Sequence, residues 1–170
     1  MQITFTRASA RDVAVTVERG DGAILRTRSS GATERLPHDL IHYVVERELG
    51  IDDGLWGRVA NGAKFRTFQT LRPARTQPRR RSKPTRRPGR RKGVLEAEVL
   101  VGLFDEIWTG AAVREWGSTR AFLDTIWSPR TRSRADELDE RTIRRVCDAL
   151  TATEGAWRTV PVGGSLSLRW

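Results

Sequence analysis

The chain has 170 residues, 38% of them hydrophobic and 31% charged, with a formal charge of +10 and one cysteine, Cys147. That length suits one domain with one core and is short for two. A lone cysteine excludes an intramolecular disulfide framework, and no stretch approaches the ~20 apolar residues of a membrane span. The charge is not spread evenly. Residues 72–93, "RPARTQPRRRSKPTRRPGRRKG", carry 11 of the 31 Lys and Arg and none of the 21 acids, which leaves 20 basic against 21 acidic residues elsewhere, a net of −1. The rest of the chain is therefore close to neutral, and any inference about polyanions from net charge belongs to that segment.

Elements follow in chain order from hydrophobic period. "QITFTRA" (2–8) alternates with Ile3 and Phe5 on one side, as a half-buried strand does. "VAVTVER" (13–19) alternates again, "GDG" (20–22) supplies a turn, and "AILRTR" (23–28) can return as the second arm of a hairpin. "SSGATER" (29–35) reads as loop. From Leu36 the period becomes helical: Pro37 suits a first helical position and Gly50 a stop just past Leu49. "DDGLWGRVANGAKF" (52–65) allows a short second helix, because three glycines interrupt it. Its glycine spacing matches neither a phosphate loop nor a dinucleotide fingerprint, so Trp56, Val59 and Phe65 are expected to pack.

The segment 72–93 has four prolines among its like charges and is expected to be a disordered insertion. "VLEAEVLVGLFDEIW" (94–108) is apolar around most of its circumference, which predicts a central helix. "STRAFLDTIW" (118–127) predicts another, ending before Pro129. "RADELDERTIRRVCDALTATEGAW" (134–157) places acids early and arginines later, in accord with the helix dipole, with a stripe of Ile143, Val146, Cys147 and Leu150. Cys147 on that stripe is expected to be a buried small hydrophobe. Trp108, Trp116, Trp127 and Trp157 are expected to fill core. "GGSLSLRW" (163–170) ends the chain as a strand that joins the N-terminal ones, since a hairpin alone is marginal. The expected architecture is one α+β domain over 1–170, with a small antiparallel sheet packed against three to five helices.

Both histidines fall on the first predicted helix. His38, His42 and Glu46 make an i, i+4, i+8 line along the border of the face formed by Leu40, Ile41, Val44, Val45 and Leu49. Imidazoles at i, i+4 can share one tetrahedral ion. Metal candidates are therefore His38, His42 and Glu46, joined by Glu98 and Asp105, the two acids seven apart on the helix 94–108; zinc is the candidate ion. "HDLIH" is similar to the HExxH signature of zinc metallohydrolases, in which the histidines bind zinc and the glutamate is general base. Here Asp39 holds that position, one methylene shorter, and it is the candidate base. Two readings oppose it: a metal-free polar binding cleft on the same residues, and a structural one, with Asp39 as a favourable charge at a helix start, His42 paired with Glu46, and His38 bonded to a loop carbonyl.

The second lead is the basic segment, where Arg79, Arg80, Arg81, Arg86, Arg87, Arg90, Arg91 and Lys92 are candidates for contact with nucleic-acid phosphates. No aromatic residue lies between Leu71 and Gly93, so the segment cannot stack on bases. A third reading is a plain interaction module. "LPHDLIHYVVERELGIDDGLWGRVANGAKF" (36–65) with "VPVGGSLSLRW" (160–170) resembles a family of small bacterial proteins, common in actinobacteria, that has no assigned function. The resemblance implies a single small cytoplasmic domain and brings no activity, cofactor or partner. An alternating N-terminus unlike a signal peptide points to the cytoplasm as well, with no membrane partner. Enzymatic activity and oligomeric state stay open at this point.

Overall fold

A computed structural model of the chain describes residues 1–29, 35–75, 92–110 and 138–170. Five antiparallel strands form one sheet: β1 (Gln2–Arg7), β2 (Val13–Glu18), β3 (Ile24–Ser29), β4 (Gln69–Arg72) and β5 (Ser165–Arg169). The spatial order is β4-β3-β2-β1-β5. The hairpin expected from alternation is present, with Val15 opposite Thr27 and Val17 opposite Leu25. The C-terminal strand closes the other edge, pairing Phe5 with Leu166 and Ile3 with Leu168. Met1 and Trp170 add reciprocal backbone bonds, so the two ends of the chain lie side by side.

Four helices are described: α1 (His38–Glu48), α2 (Leu55–Ala60), α3 (Lys92–Thr109) and α4 (Glu140–Arg158). Sheet and helices share one core. Ile3, Phe5, Val13, Val15, Val17 and Leu25 face inward from the strands to meet Leu40, Val44 and Val45 of α1, Trp56 of α2, Phe104 of α3 and Leu150 of α4. Alternation in β1, β2 and β5 dictates this: their inward positions are apolar and need cover, while the outward ones are mostly polar. Phe5 meets Trp56 edge to face with centroids 6.0 Å apart, which ties the sheet to α2. The architecture is α+β, as the period changes in the sequence predict. Among the described residues no helix is long and apolar enough to cross a membrane.

Several local expectations change. Pro37 is the N-cap of α1 rather than its first helical residue, and no side chain of its own closes that end. Ser29 is not loop but the buried last residue of β3, and its Oγ accepts from Asp39 N at 3.4 Å, so a strand supplies the cap that proline cannot. Gly50 does end α1, at φ 63°, a conformation that favours glycine. β4 was not anticipated: "QTLR" carries no alternation, and only pairing with β3 makes it a strand. Arg72 belongs to β4, and Lys92 and Gly93 to α3, so both ends of the basic segment are parts of regular elements. α3 is not enclosed as its composition suggests: Leu95 and Val99 are exposed. Cys147 is half-buried rather than buried, and burial pushes its thiol up to about 11. Trp56 and Trp157 are buried, and Trp108 is half-buried with its Nε1 donating to Thr151 Oγ1 at 3.0 Å. The expected helix 118–127, Trp116, Trp127 and residues 76–91 and 134–137 lie outside the described residues.

Candidate metal centre

A step of four residues on an α-helix overshoots one turn by ~40°. The line His38–His42–Glu46 therefore winds inward as it ascends α1. His38 is 46% exposed, His42 is 1% exposed and Glu46 is fully enclosed. The helix turns the same donor row from solvent into the core, and the three groups receive different tasks.

Glu46 is held from three sides. His42 Nδ1 stands 3.1 Å from Oε1, Leu55 N donates to Oε1 at 2.7 Å and Trp56 N donates to Oε2 at 2.9 Å. Leu55 and Trp56 are the first residues of α2, whose N-cap, Gly54, offers no side chain. Glu46 thus caps α2 from α1 and meets its partial positive charge. The close fit demands glycine at 54, where a Cβ would overlap the Glu46 carboxylate. Trp56 locks the arrangement further by donating its Nε1 to the Asp39 carbonyl at 2.9 Å.

With Nδ1 turned to Glu46, the His42 Nε2 points the other way, where α3 crosses α1. Glu98 Oε2 lies there, 3.4 Å from His42 Nε2 and 3.5 Å from His38 Nε2. The imidazoles meet edge to face, centroids 4.8 Å apart. One ligand atom from each of His38, His42 and Glu98 falls within 4.8 Å of the other two. Glu98 is 51% exposed, so the cluster opens to solvent on one side and rests on the buried His42–Glu46 pair on the other.

The electrostatics suit a cation. Burial opposes an imidazolium at His42, but the Glu46 hydrogen bond and the charges of Glu98, Glu46 and Asp39 outweigh it and hold the ring above its ordinary pKa. Asp39 is half-buried, and desolvation lifts its carboxyl above the ordinary value against the Ser29 hydrogen bond and the nearby His42 and His38. Negative potential at the cluster thus attracts a proton or a metal ion alike.

Of the metal candidates, three converge and two do not. Glu46 faces α2 and supports His42 without joining the open cluster. Asp105 lies two turns beyond Glu98, about 10 Å along the axis of α3, and is not part of the group within ligating reach. The sequence did not indicate Ser29 or the α2 backbone as supports; the signal for the latter was Glu46 itself, an acid continuing inward on an apolar face. Of the phosphate-contact candidates, Arg79, Arg80, Arg81, Arg86, Arg87, Arg90 and Arg91 lie outside the described residues, and Lys92 opens α3. Comparison of the chain with protein-family profiles, with curated proteins and with solved structures returned no match.

Proposed function

We propose that this chain binds a divalent metal ion through His38, His42 and Glu98, with zinc as the ion that the donors suit. Two imidazole nitrogens and one carboxylate oxygen are ligands zinc accepts at ~2.0–2.2 Å, and a contraction of the cluster by a few tenths of an ångström per ligand around an ion is ordinary side-chain movement. The observation that carries this reading is the buried hydrogen bond from His42 Nδ1 to Glu46. Metal-binding histidines commonly donate their second nitrogen to a carboxylate, which fixes the tautomer and raises ligand basicity. A histidine placed only to satisfy the core needs neither a second carboxylate at Nε2 nor a second imidazole beside it.

Three protein ligands leave one coordination position open, the pattern of catalytic rather than structural zinc. Bound there, the ion supplies Lewis acidity toward a carbonyl or phosphoryl oxygen. The reaction class is then hydrolysis, with Asp39 as the candidate proton acceptor, within electrostatic range of His38, His42 and Glu98. Metal analysis of protein purified without chelator, followed by zinc titration, tests the proposal. One zinc per chain, lost in His42→Ala and in Glu98→Gln, is expected. Metal-free protein with no zinc affinity tighter than micromolar, unchanged by either substitution, would overturn it.

A second reading rests on the composition of residues 72–93, eleven cations without an acid: contact with nucleic-acid phosphates through that segment. Salt-dependent retention on mixed nucleic acid, weakened in Arg79→Gln/Arg80→Gln/Arg81→Gln, supports it; equal retention by the two proteins rejects it.

A further inference from the structure

The face of the sheet turned away from the helices has a composition that polarity alone does not require. The registers align its outward positions into rows across the strands: Gln69, Arg26, Thr16, Thr4 and Ser167 in one, and Arg72, Ile24, Glu18, Gln2 and Arg169 in the next. Arg28 stands in the row beyond, opposite Ala14. Among the described strand positions, four arginines therefore share this face with a single acid, Glu18. Arg26, Arg28, Arg72 and Arg169 are all exposed. The charged side chains of Arg26 and Arg28 form no ion pair among the described residues. Between the arginine-bearing edges the face carries hydroxyls, Thr4 paired with Ser167 at 2.9 Å and Thr6 with Ser165 at 2.8 Å. No outward strand position is aromatic.

We infer that this face is a docking surface for a nucleic-acid duplex, held by its phosphates. Arginine, serine, threonine and glutamine are the side chains that contact phosphate and sugar, and such contacts position a duplex without reading its sequence. Single-stranded binding depends on aromatic platforms, which this face lacks, so the bases are left stacked. Spacing agrees with an extended ligand: five strands at ~4.8 Å intervals spread the cationic positions over roughly 20 Å. The layer opposite, with the metal cluster, takes no part, so this inference does not depend on the metal reading. It shares its ligand class with the reading of residues 72–93, and substitution distinguishes the two.

The test uses the full chain, a labelled mixed-sequence DNA duplex and fluorescence anisotropy across a salt series. Arg26→Gln/Arg28→Gln is expected to weaken binding uniformly across sequences and to flatten log K against log salt by about 2, roughly one unit per lost phosphate contact. Arg144→Gln, which removes an exposed arginine of α4 that is paired with Glu140, is expected to leave the slope within about half a unit of the unmodified protein. Far-UV circular dichroism confirms that the sheet is retained. The inference is overturned by any of three results: no binding by the unmodified chain, equal losses in Arg26→Gln/Arg28→Gln and Arg144→Gln, or a loss only in Arg79→Gln/Arg80→Gln/Arg81→Gln. Binding to anionic lipid vesicles but not to the duplex overturns it as well.

Discussion

Glu46→Gln tests the centre at the point where fold and chemistry meet. The carboxylate is enclosed and receives His42 Nδ1, Leu55 N and Trp56 N at 3.1, 2.7 and 2.9 Å. A hydrogen bond to a charged group contributes about 1.5–3 kcal/mol. The amide keeps one acceptor oxygen and turns an NH2 toward a donor, so at least one bond is lost and one donor faces another. The loss of stability is then about 3–6 kcal/mol, one such bond together with the ~1–3 kcal/mol of a buried donor left unpaired. Zinc affinity should fall ~10–100-fold, as when the carboxylate behind a ligating histidine is removed. Urea unfolding of the metal-free protein measures the first quantity and competition with a chromophoric chelator the second. Glu98→Gln provides the contrast, since it removes the exposed ligand proposed above and leaves all three Glu46 bonds intact: zinc affinity should be lost with little change in stability. If Glu46→Gln retains both stability and zinc affinity, the reasoning that this carboxylate orients His42 fails.

The remaining predictions concern neighbouring features. Gly54→Ala should cost about 1–3 kcal/mol by forcing Glu46 off the α2 N-terminus, read as a lower urea midpoint; an unchanged midpoint would contradict the overlap described above. Cys147, its thiol pushed up to about 11, should react with a thiol reagent at pH 8 much more slowly than a free cysteine, and reach comparable rates only after unfolding. In metal-free protein the raised pKa of His42 contributes stability that is fully present below the unfolded value of ~6.5 and is lost as pH rises through the folded value. The urea midpoint should therefore decline on raising pH through that window, and the decline should be absent in His42→Asn.

The outline of the fold was legible because it rests on period. Strands β1, β2, β3 and β5 announce themselves by alternation, and α1, α3 and α4 by helical spacing, most within a few residues of their final bounds, although α4 starts at Glu140 rather than at 134 because Asp139 caps it. β4 was not, because "QTLR" has no pattern of its own and gains strand geometry from the edge of β3. The exposure of Leu95 and Val99 was equally hidden: composition states how apolar a helix is, not how much of its circumference the fold covers. For the centre, helical arithmetic placed His38, His42 and Glu46 on one line, and Glu98 was among the acids that α3 could offer. Separating the open cluster of His38, His42 and Glu98 from its support, Glu46, required the crossing of α1 and α3, which is tertiary information. The drift of ~40° per step does explain after the fact why the last member of the line is interior.

Two occupants compete for the same space, and one substitution tells them apart. A proton on His42 Nε2 would bridge Glu46 and Glu98 through an imidazolium, while a metal ion would take the Nε2 lone pair and expel that proton. Both depend on Glu46, Glu98 and His42, so variants at those positions weaken either arrangement. His38 differs. Its Nε2 is 3.5 Å from Glu98 and its side chain is 46% exposed, so as an ion-pair partner it contributes at most the ~0–1 kcal/mol of a surface pair. As a ligand it supplies one of three protein bonds to the ion. His38→Ala should thus leave the stability of metal-free protein nearly unchanged and lower zinc affinity by at least ~100-fold, a loss of about 2.7 kcal/mol on the usual scale. Calorimetric titration with zinc, alongside urea unfolding in chelator, reads both. Equal zinc affinity in the two proteins would remove His38 from the ligand set; no zinc binding by either, with unchanged unfolding, would assign the cluster to protons, with His42 as a buried imidazolium between two carboxylates and His38 as a bystander.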